Sequence, residues 1–182
     1  MLNTYGLILA GGRSSRMKTD KATLEIEGKT LLQLNTEKLQ ELGLRGLFIS
    51  GSQHGGIADQ WSNKGPLGGI FSVLSQKQLA IGSSMLVLPV DMPLISTESL
   101  RRLLAFSQQN EQSCFFQSTW LPACIYVNAT VMRQLHEFPA EYGRCSVRHF
   151  LLKISATSLQ LQDTKQLANC NTPEDWYVLQ SQ

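Results

Sequence analysis

The sequence contains no C-x-x-C and no H-E-x-x-H, so the common zinc patterns have no foothold. Its cysteines, Cys114, Cys124, Cys145 and Cys170, lie at least ten positions apart. Four cysteines can pair in a secreted chain, but the N-terminus lacks a basic segment leading into an apolar stretch with a small-residue cleavage site. The expectation is a cytoplasmic protein with reduced thiols. No apolar run approaches the roughly 20 residues of a membrane helix, so no membrane partner is expected. Charged residues make up only 16% of the chain and the formal net charge is +2. So small an excess argues against a nucleic-acid polymer as partner. There is no G-x-G-x-x-G, which argues against a dinucleotide site. Gly28-Lys29-Thr30 has the form of a Walker A tail, yet Thr23 stands where the first glycine of that loop belongs, leaving the phosphate cradle incomplete.

What is present is a chain of 182 residues, 42% hydrophobic, enough for one domain over residues 1–182 and too short for two. No internal repeat or interdomain linker interrupts it. Residues 5–10 (YGLILA) form a continuous apolar run ending at glycine, the pattern of a strand buried on both faces of a parallel sheet. Leu31, Leu32, Asn35, Leu39 and Leu42 recur at helical spacing with Gly43 as a stop, and 47–49 returns as a second strand. Residues 51–65, rich in Gly, Ser, Gln and Asn, read as an irregular connection. A helix is expected over 68–79, a buried strand over 85–88 and a helix from Thr97 with Ser96 or Thr97 as cap. Strands over 113–117 and 123–127 follow, joined by a turn near Leu121-Pro122. Helices over 129–136 and 146–152, an extended stretch over 154–161, and a last helix from Thr172-Pro173 complete the reading. Alternating strands and helices indicate a three-layer α/β/α fold with a mostly parallel, Rossmann-like sheet.

Directly behind the first strand comes Leu9-Ala10-Gly11-Gly12-Arg13-Ser14-Ser15-Arg16-Met17, with Asp20-Lys21 just beyond. Ligands bind at the C-terminal ends of strands in open α/β sheets. Gly11 and Gly12 let peptide N–H groups approach phosphate oxygens or a base edge, and Arg16 and Lys21 bring positive charge to the same turn. A purely structural tight turn is the alternative. Asp91 follows a wholly apolar strand, where a carboxylate is costly unless it is exposed at the strand end or paired; a turn or capping role in D-M-P is the other reading. Gly65-Pro66-Leu67-Gly68-Gly69 opens a helix without bulk, as a ligand-facing N-terminus or a tight junction. Asn169 and Asn171 flank one residue and face the same way on an extended segment. Asp20 either orients Lys21 or lies on the surface. His54, His136 and His149 have no spacing that makes a catalytic pair, and the tryptophans read as packing residues, with Trp120 able to wall a flat ring system.

The string L-A-G-G-x-S-x-R-M-x-x-D-K resembles the signature of nucleotidyltransferases of the nucleotide-diphospho-sugar transferase fold, and is most similar to the MobA-like molybdenum cofactor guanylyltransferases. Gly65-Pro66-Leu67-Gly68-Gly69, Pro89-Val90-Asp91-Met92-Pro93 and Asn169-Cys170-Asn171-Thr172-Pro173-Glu174-Asp175 match that family in order. The resemblance implies a Mg²⁺-dependent enzyme that transfers GMP from GTP to the phosphate of molybdopterin. It implies Arg16, Lys21 and Asp91 as the catalytic set, with Asp91 the metal ligand. The GTP site would take Leu9, Ala10, Gly11, Gly12, Lys21, Asp59, Gly65, Pro66, Leu67 and Asp91. Asn169 and Asn171 would meet the acceptor. Apart from the resemblance, Arg144 and Arg148 could bind the acceptor's phosphate, and a solvated helix face is the alternative for at least one of them. Partners of this family would be GTP, molybdopterin or molybdenum cofactor, and proteins of cofactor synthesis and delivery to molybdoenzymes. The chain departs from the family pattern at Lys18, at Ser50-Gly51-Ser52 and at Leu121. Those positions bear on which base and acceptor are used, so a related enzyme using CTP or another phosphorylated acceptor, and a non-catalytic nucleotide-binding partner, are the alternatives.

Overall fold

The computed structural model describes residues 3–11, 20–61, 64–138, 146–170 and 173–180. Along them the chain forms β1 (Thr4–Leu9), β2 (Glu25–Ile26), β3 (Lys29–Thr30), α1 (Leu31–Gln40), β4 (Gly46–Ser50), α2 (Gly65–Lys77) and β5 (Ser84–Pro89). It continues through α3 (Thr97–Asn110), β6 (Cys114–Phe116), β7 (Ala123–Tyr126), α4 (Ala129–Glu137), α5 (Val147–Lys153), β8 (Thr157–Leu159) and α6 (Pro173–Gln180). Six strands make one sheet in the order β4-β1-β5-β7-β6-β8. β4, β1 and β5 pair in parallel. β7 is antiparallel to both β5 and β6, and β8 is parallel to β6, so β7 alone runs against the other five.

Alternation of side chains along the strands divides the core in two. Leu7, Leu9, Met85, Val87, Ala123 and Ile125 face a cluster completed by Ile70, Phe71 and Leu74 of α2, Val131 of α4 and Phe150 of α5. Ile8, Leu86, Leu88, Cys114, Phe116 and Cys124 face the other, completed by Leu31 and Leu39 of α1 and Leu100, Leu103 and Leu104 of α3. Helices therefore cover both faces, and the expected three-layer α/β/α arrangement with a mostly parallel sheet is observed.

Local signals account for most element ends. α1 starts on a reciprocal capping box, in which the Thr30 side chain accepts from the Gln33 amide and the Gln33 side chain accepts from the Thr30 amide. Ser96 caps α3 and Ser146 caps α5. α2 begins at Gly65, three residues before the expected start, because Pro66 in the first turn has the backbone angle a helix needs and no N–H to satisfy. It ends at Lys77, short of Leu79, with Gln78 in the left-handed region as its cap. The extended stretch expected over 154–161 narrows to β8, since α5 runs to Lys153 and the Ile154 and Ala156 amides still bond back to it. The short stretch after the glycine-rich loop is a β2–β3 hairpin, whose two turn residues, Glu27 and Gly28, both have positive φ. Thr172 and the turn near Tyr142-Gly143 lie outside the described residues.

Among the described residues no helix is long and apolar enough to cross a membrane. Cys114, Cys124 and Cys170 are free and buried; burial pushes the Cys124 thiol up to about 12 and raises Cys114 and Cys170 as well.

Phe71 sits edge-to-face against both Phe138, at 4.6 Å between ring centroids, and Phe150, at 5.0 Å. Replacing it with alanine removes both contacts and leaves a cavity under α2. Phe71→Ala is expected to lower the unfolding free energy by about 3–5 kcal/mol in urea titration, and a loss below about 1 kcal/mol would contradict this account of the core.

Candidate active site

β1, β4 and β5 end side by side, with Leu9 opposite Ser50 on one flank and Pro89 on the other. Because β7 runs the opposite way, the residues that enter it, Thr119, Trp120 and Leu121, reach the same rim. A cavity of about 420 Å³ opens there. Its lining includes Leu9 at the end of β1, Ala10 and Gly11 after it, Ser50 at the end of β4, Asp59, and Gly65, Pro66 and Gly69 of α2. Asp20, Lys21, Pro89, Val90, Asp91, Thr119, Trp120, Leu121, Val147 and Asn169 complete it.

Two close approaches make this shape possible. Gly51 has φ of +101°, and a Cβ there would lie 3.0 Å from the Gly11 Cα, so the turn after β4 rests directly on the backbone leaving β1. A Cβ on Gly69 would meet Ser50 Oγ at 3.1 Å and Leu9 Cδ2 at 3.3 Å, so the first turn of α2 comes down onto the strand ends.

The charges are fixed from the backbone outward. Asp20 Oδ1 accepts from the Ala22 amide at 3.0 Å and caps a single 3-10 turn, Lys21–Thr23. From that turn Lys21 Nζ donates to Asp91 Oδ2 at 2.8 Å, both side chains being about one-fifth exposed, 19% and 20%. The Asp91 backbone is held on both sides. The Val90 amide donates to the Leu9 carbonyl at 3.1 Å and the Cys170 amide to the Asp91 carbonyl at 2.8 Å. Fully buried Asn35 donates from Nδ2 to the Val90 carbonyl at 2.9 Å. The Cys170 bond also brings Asn169 into the cavity wall. Just beyond, the Lys38 ammonium donates to the Pro93 carbonyl, and burial lowers its pKa. Partial desolvation raises the pKa of the Asp59 carboxyl.

Of the residues expected from sequence, Leu9, Ala10, Gly11, Lys21, Asp59, Gly65, Pro66, Asp91 and Asn169 line the one cavity. Leu67 does not: it is 3% exposed, because the phase of α2 turns it toward Phe71, Phe138 and Phe150 while Gly65, Pro66 and Gly69 line the opening. Arg148 is exposed and stands with its guanidinium 5.6 Å from the centre of the Trp120 ring, outside the cavity lining. Gly12, Arg16, Asn171 and Arg144 lie outside the described residues. Trp120, whose ring also packs on Phe115 at 5.0 Å, forms part of the wall, as a flat ligand would require.

Sequence reasoning missed two positions. Asn35 was visible as a polar residue in an apolar helical stripe, and its partner is a backbone carbonyl that no pattern reveals. His54 Nε2 lies 2.8 Å from Asp20 Oδ2, across 34 positions of chain. Nothing in residue spacing announces that pair.

Among the described residues no group of three or more His, Cys, Asp or Glu side chains could cage a metal ion. A single carboxylate at the strand end, with the Asn169 amide in the same wall, suits a hard divalent cation. Such an ion takes one or two protein oxygens and draws its other ligands from phosphates and water.

The family described as MobA-like NTP transferase domain matches residues 6–157, a span that holds the whole cavity lining except Asn169. The chain belongs to that family. It is 37% identical over 178 residues to the molybdenum cofactor guanylyltransferase of Xanthomonas euvesicatoria pv. vesicatoria, covering 94% of this chain and 91% of that one. The molybdopterin-guanine dinucleotide biosynthesis protein A of Archaeoglobus fulgidus shares the fold, with a TM-score of 0.75 at 17% identity and 97% of each chain covered. So does the 4-diphosphocytidyl-2C-methyl-D-erythritol synthase of Anaerococcus prevotii, with a TM-score of 0.72 at 11% identity, covering 99% of this chain and 95% of that one. As a MobA-like NTP transferase, the chain is a nucleotidyltransferase, and its cavity stands at the strand ends where this type of sheet binds nucleotides.

The Gly51–Gly11 approach is testable by adding one methyl group. Gly51→Ala forces a side chain into the left-handed region against backbone, so the protein is expected to lose about 1–3 kcal/mol of stability in denaturant titration. Unchanged stability would mean that the two turns do not touch.

Proposed function

We propose that this chain, as a single domain over residues 1–182, transfers GMP from GTP to the terminal phosphate of molybdopterin, giving the guanine dinucleotide form of the cofactor and pyrophosphate. The observation that carries the proposal is the convergence of Lys21, from a capped 3-10 turn, and Asp91, from just past the end of β5, on one cavity in a chain of this family.

The reaction brings a phosphate dianion against the α-phosphate of a triphosphate. An acceptor oxygen forms the new bond to the α-phosphorus while the bond to the β-bridging oxygen breaks, and the electron pair leaves with pyrophosphate. The principal barrier is mutual repulsion of anions, so catalysis rests on positioning and charge neutralisation, with no covalent enzyme intermediate. In this reading Leu9, Ala10, Gly11, Gly65 and Pro66, with Gly12, form the guanine nucleotide pocket, and Asp59 offers an acceptor near the nucleoside. Lys21, with Arg16, holds the triphosphate. The Lys21–Asp91 pair keeps each charge in register until nucleotide arrives, when the ammonium turns to phosphate oxygens. The Asp91 carboxylate would hold Mg²⁺, which would supply neutralisation of the phosphate charges. Asn169, which shares the cavity lining with Trp120, donates to and accepts from the acceptor together with Asn171, while Arg144 and Arg148 attract its phosphate. Finished cofactor would pass to delivery proteins for molybdoenzymes.

Heating scans with each nucleoside triphosphate and Mg²⁺ test the donor, because a ligand that binds only the native state raises the melting temperature. GTP is expected to give the largest rise, and a larger rise with CTP would reassign the base. Asp91→Ala is expected to reduce pyrophosphate release from GTP and molybdopterin by about 10²-fold or more while the protein still folds. Undiminished release would remove Asp91 from the chemistry.

A further inference from the structure

We infer that His54 is a positioning residue for the nucleotide, locking the turn that carries Lys21 to the end of β4. The inference rests on the nucleotidyltransferase reading of the cavity and extends it to a histidine outside the cavity lining. His54 Nε2 stands 2.8 Å from Asp20 Oδ2, with side-chain exposures of 16% and 32%. A carboxylate only accepts, so the imidazole donates. Asp20 uses its two oxygens for two tasks. Oδ1 caps the 3-10 turn through the Ala22 amide, and Oδ2 takes the bond from His54, which fixes the turn laterally. Lys21 is the first residue of that turn, so a shift of Asp20 moves the ammonium relative to Asp91 and the cavity.

His54 is itself held firmly. It ends a 3-10 turn, Ser52–His54, flanked by Gly51 and Gly55, both with positive φ. The segment then folds back on β4. The Ile57 amide donates to the Ile49 carbonyl at 2.7 Å, and the Gly51 amide to the Ile57 carbonyl at 2.8 Å. A Cβ on Gly56 would lie 2.4 Å from the Ile49 carbonyl oxygen, so this hook admits little rearrangement. The same hook touches Gly11 through Gly51. The residues bounding the glycine-rich stretch, Gly11 before it and Asp20 after it, are therefore both fastened to residues 51–54. A positively charged group that must meet a triphosphate is thereby referenced to the strand end that lines the nucleotide side of the cavity.

The test is a double-mutant cycle between His54→Ala and Asp20→Asn, read by titration with the nucleoside triphosphate that binds wild type most tightly, and by KM for each substrate. Asn at position 20 keeps the capping oxygen and weakens the bond to His54. His54→Ala is expected to raise the nucleotide Kd and KM about tenfold and leave the acceptor KM unchanged. His54→Gln, which returns an N–H at similar reach, should restore most of that loss, and adding His54→Ala to Asp20→Asn should cost little more. Wild-type nucleotide affinity in His54→Ala, full additivity of the two substitutions, or an equal rise in the acceptor KM would each overturn the inference. Where His54→Ala fails to fold, Asp20→Asn and His54→Gln carry the same comparison. A wild-type protein that prefers CTP corrects the proposed donor and leaves this test intact, and one that binds no nucleoside triphosphate overturns both.

Discussion

The site depends on the in-register parallel pairing of β1 with β4 on one side and β5 on the other. These three strands are the continuous apolar runs of the first half of the chain, and most of their side chains are buried between helices. Burial on both faces sets their register, since a slip of one residue would exchange the two faces. With register set, the ends at Leu9, Ser50 and Pro89 fall level, and whatever follows each strand is delivered to one place. The cavity is what remains when three level strand ends are followed by loops rather than by more strand.

Polar groups at that edge are held by the backbone they leave. Asp91 is anchored by its own bond to Cys170 and, through Val90, to Leu9 and Asn35, so its carboxylate has little freedom beyond side-chain rotation. Lys21 rides a single capped turn. Such preorganisation is what electrostatic catalysis requires, because dipoles and charges already in place need not reorganise when charge moves. The Lys21–Asp91 pair also avoids leaving either charge partly buried and alone.

The fold was legible wherever burial and periodicity agree. β1 and β5 stood out as short apolar runs, α1 and α3 as apolar stripes with caps, and the layer order followed from their alternation. Motif resemblance located the cavity, since Leu9 to Gly11, Lys21, Gly65, Pro66, Asp91 and Asn169 do converge. What sequence concealed was phase and long-range partnership. Leu67 lies inside a matching motif, yet helical geometry buries it beside Phe71, Phe138 and Phe150. The motif around Pro66 reads as opening a helix, but only the observed first turn of α2 shows that Gly65 and Pro66 belong to it. Residues 22–27 read as a short alternating stretch ended by Gly28, a pattern that does not show the chain folding back as the β2–β3 hairpin. The bond between His54 and Asp20 depends on three successive turns whose directions are not encoded in spacing.

One reversed strand separates the tasks of this edge. Since β7 enters the sheet against the grain, the Thr119–Leu121 segment approaches the rim from a part of the chain that shares no loop with β1, β4 or β5. The half of the opening built from the early crossovers and the half built around Trp120 can therefore diverge independently. Substitutions in the short Thr119–Leu121 lead-in can reshape the opening without touching Lys21, Asp91 or the turns that hold them.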